Sequence, residues 1–143
     1  MSTVCTISVV CRDGVVRSVA CHADGYLSHA GRILNTHYAT WCLAEQLVLN
    51  GDMRCLRESC DCPTGHSLDT PVAGFCVFYR RDSDMDCWGN TEAREYSSVR
   101  DALVQEFQTY HYVFENGGWS VQYWDYRGRQ YKALPLALRR CPE

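Results

Sequence analysis

Apolar and polar residues alternate at the start of the chain, which is the pattern of a strand that buries one of its faces. The apolar positions of this segment, residues 4–11, include Cys5, Ile7, Val9 and Cys11. Successive side chains of a strand point to opposite faces, so these four side chains share one face. The alternation therefore predicts a first β-strand with an apolar inner face.

A turn signal follows this strand. Asp13-Gly14 is a dipeptide typical of a two-residue hairpin turn, and the apolar run over 15–21 predicts the returning strand. With a two-residue turn, residue 5 faces residue 22, and His22 then points toward the core. A turn that differs in length by one residue would reverse the faces of the second strand.

Helical spacing replaces the alternation after residue 26. The predicted helix covers 27–38, and its apolar stripe recurs at intervals of three and four residues: Leu27, Ala30, Leu34 and Tyr38. Thr40 is placed to cap a second helix over 41–49. Asn50-Gly51 follows this helix and supplies a residue that tolerates positive φ, as many helix ends require.

The middle of the chain combines a long loop with one strand and one helix. Residues 52–71 are predicted as a loop, and Val72–Arg80 is predicted as a central strand because both of its faces are apolar. After a polar segment, Ser98 is placed to cap a helix over 99–109. The predicted buried stripe of this helix is Val99, Leu103 and Phe107.

The strongest hairpin signal lies near the end of the chain. Asn116-Gly117 joins two alternating runs, and a two-residue turn pairs residue 114 with 119 and 112 with 121. The residues that share one face in this register are Tyr110, Tyr112, Phe114, Trp119, Val121 and Tyr123. We predict that this aromatic face belongs to the core and is not a platform for stacked bases, and that a third strand covers 130–134.

These elements follow the order ββααβαββ, with one further strand at the end. Strands joined by tight turns pair antiparallel, and helices with one apolar stripe pack against a sheet. The predicted fold class is therefore α+β. The chain is expected to form one domain over residues 1–143, with a mainly antiparallel sheet and helices packed on one face.

Composition narrows the class of protein. Apolar residues make up 46% of the 143 residues and charged residues 22%, which is typical of a folded globular chain. The net charge of −3 is too mild for a protein that binds nucleic acid through overall basicity, so direct nucleic-acid binding is not expected. No apolar run approaches the roughly 20 residues that span a bilayer, and the first residues lack the pattern of a secretion signal. We therefore expect a cytosolic protein with no membrane partner.

Ten cysteines are many for a chain of this length. Without a secretion signal, reduced thiols are expected instead of a disulfide framework. One group has the composition of a structural zinc site: Cys55, Cys60, Cys62 and His66. Four nitrogen and sulfur ligands suit tetrahedral zinc, but the spacing C-x4-C-x-C-x3-H is not that of paired zinc knuckles. The alternative is a set of loop thiols, and no other cofactor is predicted.

The segment CHADGY, residues 21–26, brings several reactive side chains together. His22 and Asp24 could form an oriented general base, and Cys21 is a conceivable nucleophile beside them. Adjacent strand residues point to opposite faces, however, so Cys21 and His22 should diverge. The structural alternative is a strand-to-helix corner in which Asp24 caps a turn, Gly25 supplies positive φ and Tyr26 seats the helix. Ligand binding by this segment is a third interpretation.

An acidic run and two arginines lie after the predicted central strand. The segment over 82–86 begins like a calcium-binding loop, but Cys87 and Ala93 stand where such a loop needs Gly and Glu, so calcium is not predicted. Arg80-Arg81 is able to hold a phosphate or an acidic partner. The candidate ligand or partner residues of the whole chain are His22, Asp24, Tyr26, Arg32, Arg80, Arg81, Asp82 and Asp84.

Four segments resemble a family of small phage and prophage proteins. The segment VRSVACHADGYLSHAGRIL resembles the part of those proteins where "CHWDGYP" leads into a helix. LVLNGDMRCLRE, FYRRDSD and YVFENGGWSV resemble their "LI-LGD-SSLGE", "YHRDRGE" and "YLFENG-W-V" segments. Ala23, Leu27 and Arg80 stand where the family has an aromatic residue, a proline and a histidine, so the chain departs from the family at its shared motifs.

The resemblance implies a phage-encoded accessory protein that acts in the host cytoplasm. Such proteins often bind and disable host machinery, so the expected function is a non-enzymatic inhibitor of a host defence complex, for example an anti-CRISPR-like protein. The alternative is a protein that binds a nucleotide or another small phosphorylated ligand, or a phosphoester-type enzyme, with His22, Asp24, Arg32 and Arg80 in its site. The expected partner is a host protein or defence complex, and the oligomeric state is left open, a homodimer included.

Overall fold

The computed structural model describes residues 3–83 and 90–135. Within these residues one sheet contains β1 (Cys5–Val10), β2 (Val16–Cys21), β3 (Met53–Cys55), β4 (Val77–Phe78), β5 (Arg94–Tyr96), β6 (Tyr110–Glu115), β7 (Gly118–Asp125) and β8 (Gln130–Pro135). A π-helical turn (Leu27–Gly31) leads into α1 (Arg32–His37), and two further helices are α2 (Trp41–Leu49) and α3 (Val99–Gln105). No helix of the described part is long and apolar enough to cross a bilayer.

The strands form one open, mixed sheet. The order across it is β4-β3-β2-β1-β6-β7-β8, and β5 pairs with β2 outside this path. β1 runs parallel to β6, and β2 runs parallel to β3, whereas the other pairs are antiparallel. The predicted α+β class with a mainly antiparallel sheet is confirmed.

The turn between β1 and β2 is one residue longer than predicted. The Gly14 N–H donates to the Cys11 carbonyl at 2.9 Å, and the Cys11 N–H donates to the Val15 carbonyl at 2.9 Å. Gly14 has a φ of +85°, which is the conformation that the third residue of a three-residue hairpin loop adopts. The Asp-Gly signal therefore marks a hairpin, but not the two-residue turn that was predicted for it.

This extra residue reverses the faces of β2. Cys5 lies opposite Cys21, and Ile7 lies opposite Val19, so both residues of β2 belong to the buried core. Because the side-chain period of a strand is two, a shift of one residue moves every side chain to the other face. The prediction that His22 points into the core is therefore wrong, and His22 is exposed.

Helices cover both faces of the sheet. α2 packs its buried residues Ala44, Leu47 and Val48 onto the core face. Thr6 points away from that face, and its hydroxyl donates to the carbonyl of Glu106, directly after α3, at 2.9 Å. α3 therefore lies on the second face, and the expectation of helices on a single face holds for α2 but not for α3.

The C-terminal hairpin has the predicted register. Phe114 lies opposite Trp119 and Tyr112 opposite Val121, and all four side chains are buried in the core. The Trp119 Nε1–H donates to the Tyr38 carbonyl at 2.8 Å, which ties the hairpin to the end of α1. The aromatic stripe is thus part of the core, as its alternation indicated.

The predicted central strand over 72–80 is short and lies at the sheet edge. Only β4 remains of it, and the loop before β4 folds back over it, with the Cys76 N–H donating to the Ser59 carbonyl at 2.9 Å. This cover buries Cys76, Val77 and Phe78 at an edge position. Both faces of this segment are apolar because a loop covers the edge strand, and not because the strand lies at the centre of the sheet.

Both predicted helix caps are present. The Thr40 hydroxyl accepts from the Leu43 N–H, and the Ser98 hydroxyl accepts from the Asp101 N–H. α3 ends at Gln105, four residues earlier than the predicted end at 109. Phe107 therefore lies outside the helix and is 47% exposed instead of being part of a buried stripe.

Candidate functional site

The CHADGY segment forms a tightly packed corner between β2 and the π-helical turn. Asp24 takes the positive φ, 56°, so the prediction that Gly25 supplies it is wrong. Gly25 is required for a different reason, because a Cβ at this position would lie 2.6 Å from the Cβ of Cys5 and 2.8 Å from the Thr3 carbonyl oxygen. The Tyr112 hydroxyl also donates to the Gly25 carbonyl at 2.8 Å. The segment therefore joins β1, β6 and the helical layer.

The two proposed catalytic side chains of this segment have different partners. His22 Nδ1 lies 2.7 Å from the Tyr79 hydroxyl, and the two ring centroids are 5.3 Å apart. Asp24 instead accepts a long hydrogen bond, 3.4 Å, from the Tyr26 hydroxyl. A general base oriented by a carboxylate needs His22 and Asp24 within hydrogen-bond distance of each other, and the structure pairs each of them elsewhere.

The candidate arginines lie in two separate depressions. Arg80 and Arg81 line one of about 450 Å³, where Arg80 forms an ion pair with Glu92 at 3.3 Å. Arg32 lines another of about 390 Å³ with His29. The two have no lining residue in common, and neither is lined by His22 or Asp24. The four residues of the proposed phosphoester site are therefore not gathered at one place.

Arg81 and Asp82 hold the loop before β4. The Arg81 Nε–H donates to Asp82 Oδ1 at 2.8 Å, and the Phe78 N–H donates to Asp82 Oδ2 at 2.8 Å. Arg81 also donates to the Cys60 carbonyl. Burial by itself raises the pKa of Asp82, but the hydrogen bonds from Arg81 and Phe78 outweigh it and hold this pKa below its usual range. Arg81 and Asp82, which were predicted to bind a partner, therefore stabilise this loop. The third predicted residue of this segment, Asp84, lies outside the described residues.

The predicted zinc ligands do not form a metal site. Of the ring nitrogens of His66, Nε2 lies 2.9 Å from the Cys76 carbonyl oxygen and Nδ1 accepts from the Val72 N–H at 2.9 Å. Cys62 is exposed and Cys60 is buried. Residues 3–83 and 90–135 contain no group of three or more His, Cys, Asp or Glu side chains placed to hold a metal ion. Backbone groups contact both ring nitrogens of His66, so the structure favours the alternative of loop thiols for this segment.

A buried polar cluster lies between α3 and the sheet, and it was not predicted. His111 Nε2 lies 2.5 Å from Ser8 Oγ, which lies 2.6 Å from Ser18 Oγ, and all three residues are 0% exposed. His111 Nδ1 is buried and has no hydrogen-bond partner. Burial lowers the pKa of His111 to about 4, so the imidazole is neutral at pH 7.

A charged network fastens α3 beside this cluster. The Arg94 guanidinium contacts Asp52 Oδ1 and Glu106 Oε1, each at 2.9 Å. Asp52 Oδ1 also accepts from the Ala20 N–H at 2.8 Å, and Glu106 Oε2 accepts from the Tyr96 hydroxyl. Burial and this bond to Glu106 raise the pKa of Tyr96 to about 12. The network joins β2, β5 and the end of α3, and no local sequence signal connects its members.

A group of two exposed and two half-buried rings lies beyond the end of α3. We call it the aromatic patch, and its residues are Phe107, Trp124, Tyr126 and Tyr131. The Phe107 ring centroid is 5.1 Å from that of Trp124 and 5.8 Å from that of Tyr131. Tyr126 is 69% exposed, and its hydroxyl lies 2.9 Å from the Thr109 hydroxyl. Phe107, Trp124 and Tyr131 thus hold one another, Tyr126 is held at Thr109, and Phe107 and Tyr126 face solvent.

Comparison of the chain with protein-family models, with curated proteins and with solved structures found no significant match. The resemblance to small phage proteins thus rests on the four sequence segments that carry it. Most predicted site residues are engaged in contacts that stabilise loops or corners. The aromatic patch contains two exposed rings, Phe107 and Tyr126. The sequence analysis had assigned Phe107 to a buried helix stripe.

Proposed function

We propose that this chain is a phage-encoded, non-enzymatic inhibitor that binds a host defence complex in the host cytoplasm through its aromatic patch. The observation that carries the proposal is the exposure of two rings that have fixed contacts: Phe107 packs on Trp124 and Tyr131, and the Tyr126 hydroxyl contacts Thr109. Exposed apolar patches of this kind are typical of sites that bind other proteins. The phage origin and the defence target come from the sequence resemblance.

The patch has the properties of a protein-binding anchor. An aromatic side chain can remove about 150–250 Å² of surface from water, and tyrosine and tryptophan are enriched among the residues that dominate binding energy. Phe107 is held by Trp124 and Tyr131, and Tyr126 is held at Thr109. Side chains that are already ordered lose little rotamer freedom when a partner binds. This preorganisation supports docking by the patch.

The enzymatic alternative has less support. It requires His22 and Asp24 to converge in one cleft with Arg32 and Arg80, whereas the two arginines line separate depressions. His22 instead contacts Tyr79. A binding function needs no such convergence, so it agrees better with the arrangement of the described residues.

Phage plating tests this function. The chain is expressed in bacteria with and without an active defence system, drawn from a panel of CRISPR and restriction systems, and plaques are counted. We expect the wild-type chain to restore plating on at least one defended strain. The double variant Phe107→Ser/Tyr126→Ser should lose this effect because the anchor is removed.

The matched control is Leu49→Ser, which alters a residue that is 64% exposed on α2 and outside the patch. It should restore plating as the wild type does, and circular dichroism should show that all variants fold. The proposal is overturned if the wild-type chain restores plating on no defended strain, or if the double variant restores it fully. A photocrosslinker at Tyr126, with Leu49 as the control position, then identifies the bound defence subunit.

A further inference from the structure

Two arginines lie beside Tyr126 of the aromatic patch, and neither has a carboxylate partner in the part of the chain that the structure describes. The turn that joins β7 to β8 follows the pair Asp125–Gln130 and contains Tyr126, Arg127 and Arg129. Both arginines are exposed. Neither guanidinium forms an ion pair or a hydrogen bond with any residue of the described ranges. Two positive charges therefore stand next to the most exposed ring of the patch.

The nearest carboxylate of this turn is already engaged. Asp125 forms an ion pair with Lys132 at 3.1 Å and accepts from the backbone N–H of Arg127 at 3.0 Å. Two other exposed arginines have acidic partners: Arg12 pairs with Glu45 at 3.1 Å and Arg80 with Glu92 at 3.3 Å. Within residues 3–83 and 90–135, no carboxylate balances the charge of Arg127 or Arg129 as Glu45 balances that of Arg12.

We propose, on the basis of the function proposed above, that the partner surface is an acidic protein segment with an apolar side chain at its centre. The apolar side chain packs on Phe107 and Tyr126, and flanking carboxylates contact Arg127 and Arg129. Rim charges of this kind set specificity and speed association, while the buried rings supply most of the affinity. The positive charges of Arg127 and Arg129 favour an acidic partner at this surface.

Proteins that bind single-stranded nucleic acid also combine aromatic and cationic side chains. The arrangement of the rings in the aromatic patch is less suited to that ligand. Base stacking needs open ring faces. Trp124 packs edge-on against Phe107 and against Tyr131, with interplanar angles of 76° in each case. The Tyr131 hydroxyl also donates to the Gln108 carbonyl at 3.0 Å, so these rings contact each other and the loop after α3. The net charge of −3 also opposes a polyanion.

Fluorescence polarisation with defined probes tests the inference. The probe is a fluorescein-labelled peptide with glutamates on both sides of a Leu-Phe pair, and the matched peptide has glutamine at each glutamate. A labelled uridine 20-mer represents nucleic acid. We expect the acidic peptide to bind more tightly than the other two probes, and its affinity should fall as salt rises because the contacts are exposed ion pairs.

Charge variants locate the contact. Arg127→Gln/Arg129→Gln should weaken binding of the acidic peptide about fivefold, as two exposed ion pairs would. Arg12→Gln/Arg54→Gln removes the same charge at exposed positions outside the patch and should leave binding unchanged. The inference is overturned if the acidic peptide does not bind, if the glutamine peptide or the uridine 20-mer binds as tightly, or if the two double variants behave alike.

The outcome is separable from that of the proposed function. If Phe107→Ser/Tyr126→Ser abolishes the restoration of phage plating but Arg127→Gln/Arg129→Gln retains it, the patch docks a partner that is not acidic. In that case the function stands and this inference fails. If wild-type expression never restores plating while the acidic peptide binds at the arginines, the surface chemistry stands and the defence target fails.

Discussion

His111 Nε2 lies 2.5 Å from the hydroxyl of Ser8, and both residues are completely buried under α3. Ser8 in turn lies 2.6 Å from the hydroxyl of Ser18, so a row of polar side chains crosses β6, β1 and β2. The other ring nitrogen, Nδ1, has no partner. A protonated imidazole would place a charge and an unsatisfied N–H in this space, and the fold therefore favours the neutral form.

This burial predicts acid sensitivity. The pKa of His111 is about 4 in the folded chain and 6.5 for an unperturbed histidine. The unfolded chain therefore binds the proton more tightly, so the stabilisation is complete above about pH 6.5 and is lost as the pH falls toward 4. The full difference amounts to about 3 kcal/mol. Urea unfolding of the wild type at pH 7 and at pH 4.5 measures this loss.

The neutral variant His111→Gln isolates this contribution from that of the nearby carboxylates Asp52 and Glu106. Its free energy of unfolding should depend less steeply on pH than that of the wild type over the same range. An NMR titration of the His111 ring gives an independent reading in the wild type. A pKa near 6.5 in the folded chain would contradict the prediction.

The corner at Gly25 should tolerate no side chain. Gly25→Ala places a Cβ 2.6 Å from the Cβ of Cys5, so the strand or the corner must move, at a cost of about 3 kcal/mol in the free energy of unfolding. Gly118→Ala is the matched control, because a Cβ there has no heavy atom within 4 Å. Urea unfolding of both variants is the measurement. Equal stabilities of the two variants would show that the corner is not close-packed.

The Arg94 network should hold α3 on the sheet. Arg94→Gln leaves Asp52 and Glu106 without their cation, and we expect a loss of about 2 kcal/mol together with faster amide exchange in α3. Arg80→Gln breaks an exposed ion pair with Glu92 and should cost less than about 0.5 kcal/mol. Hydrogen exchange followed by mass spectrometry compares the two. Unchanged exchange in α3 of Arg94→Gln would refute the fastening role.

The loop around His66 should be indifferent to metal chelators. Both of its ring nitrogens have backbone partners, at the Cys76 carbonyl and the Val72 N–H. Adding EDTA should therefore leave the melting temperature unchanged, whereas His66→Ala should lower it because those two backbone groups lose their partner. Thermal melts with and without EDTA, on both proteins, make the comparison. A fall in melting temperature on chelation of the wild type alone would restore the zinc interpretation.

Local patterns predicted several elements correctly. The Asn116-Gly117 turn and the alternation around it set the register of β6 and β7, since a two-residue turn leaves only one pairing of the strands. Thr40 and Ser98 predicted the starts of α2 and α3, because a cap acts within one helical turn. The predicted α+β class followed from the order of such elements.

Local patterns did not predict the candidate site. Phe107 was expected inside a helix, and α3 ends at Gln105, so the ring instead meets Trp124 and Tyr131 from the far hairpin. Arg94, Asp52 and Glu106 are distant along the chain and carry no shared motif. Their contacts depend on how β5 and α3 pack, which no local period describes.

The sequence by itself determined the strands and helices whose signals act over a few residues: the alternation in β6 and β7, the stripe from Leu27 to Tyr38, and the caps. Tertiary structure decided which side chains of β2 face the core, which face of the sheet α3 covers, and the exposure of the aromatic patch. The physical reason is the distance along the chain over which each interaction acts. Turn and cap energies are local, whereas one added residue at Gly14, or the point where α3 stops, is selected by packing against strands far away in the chain.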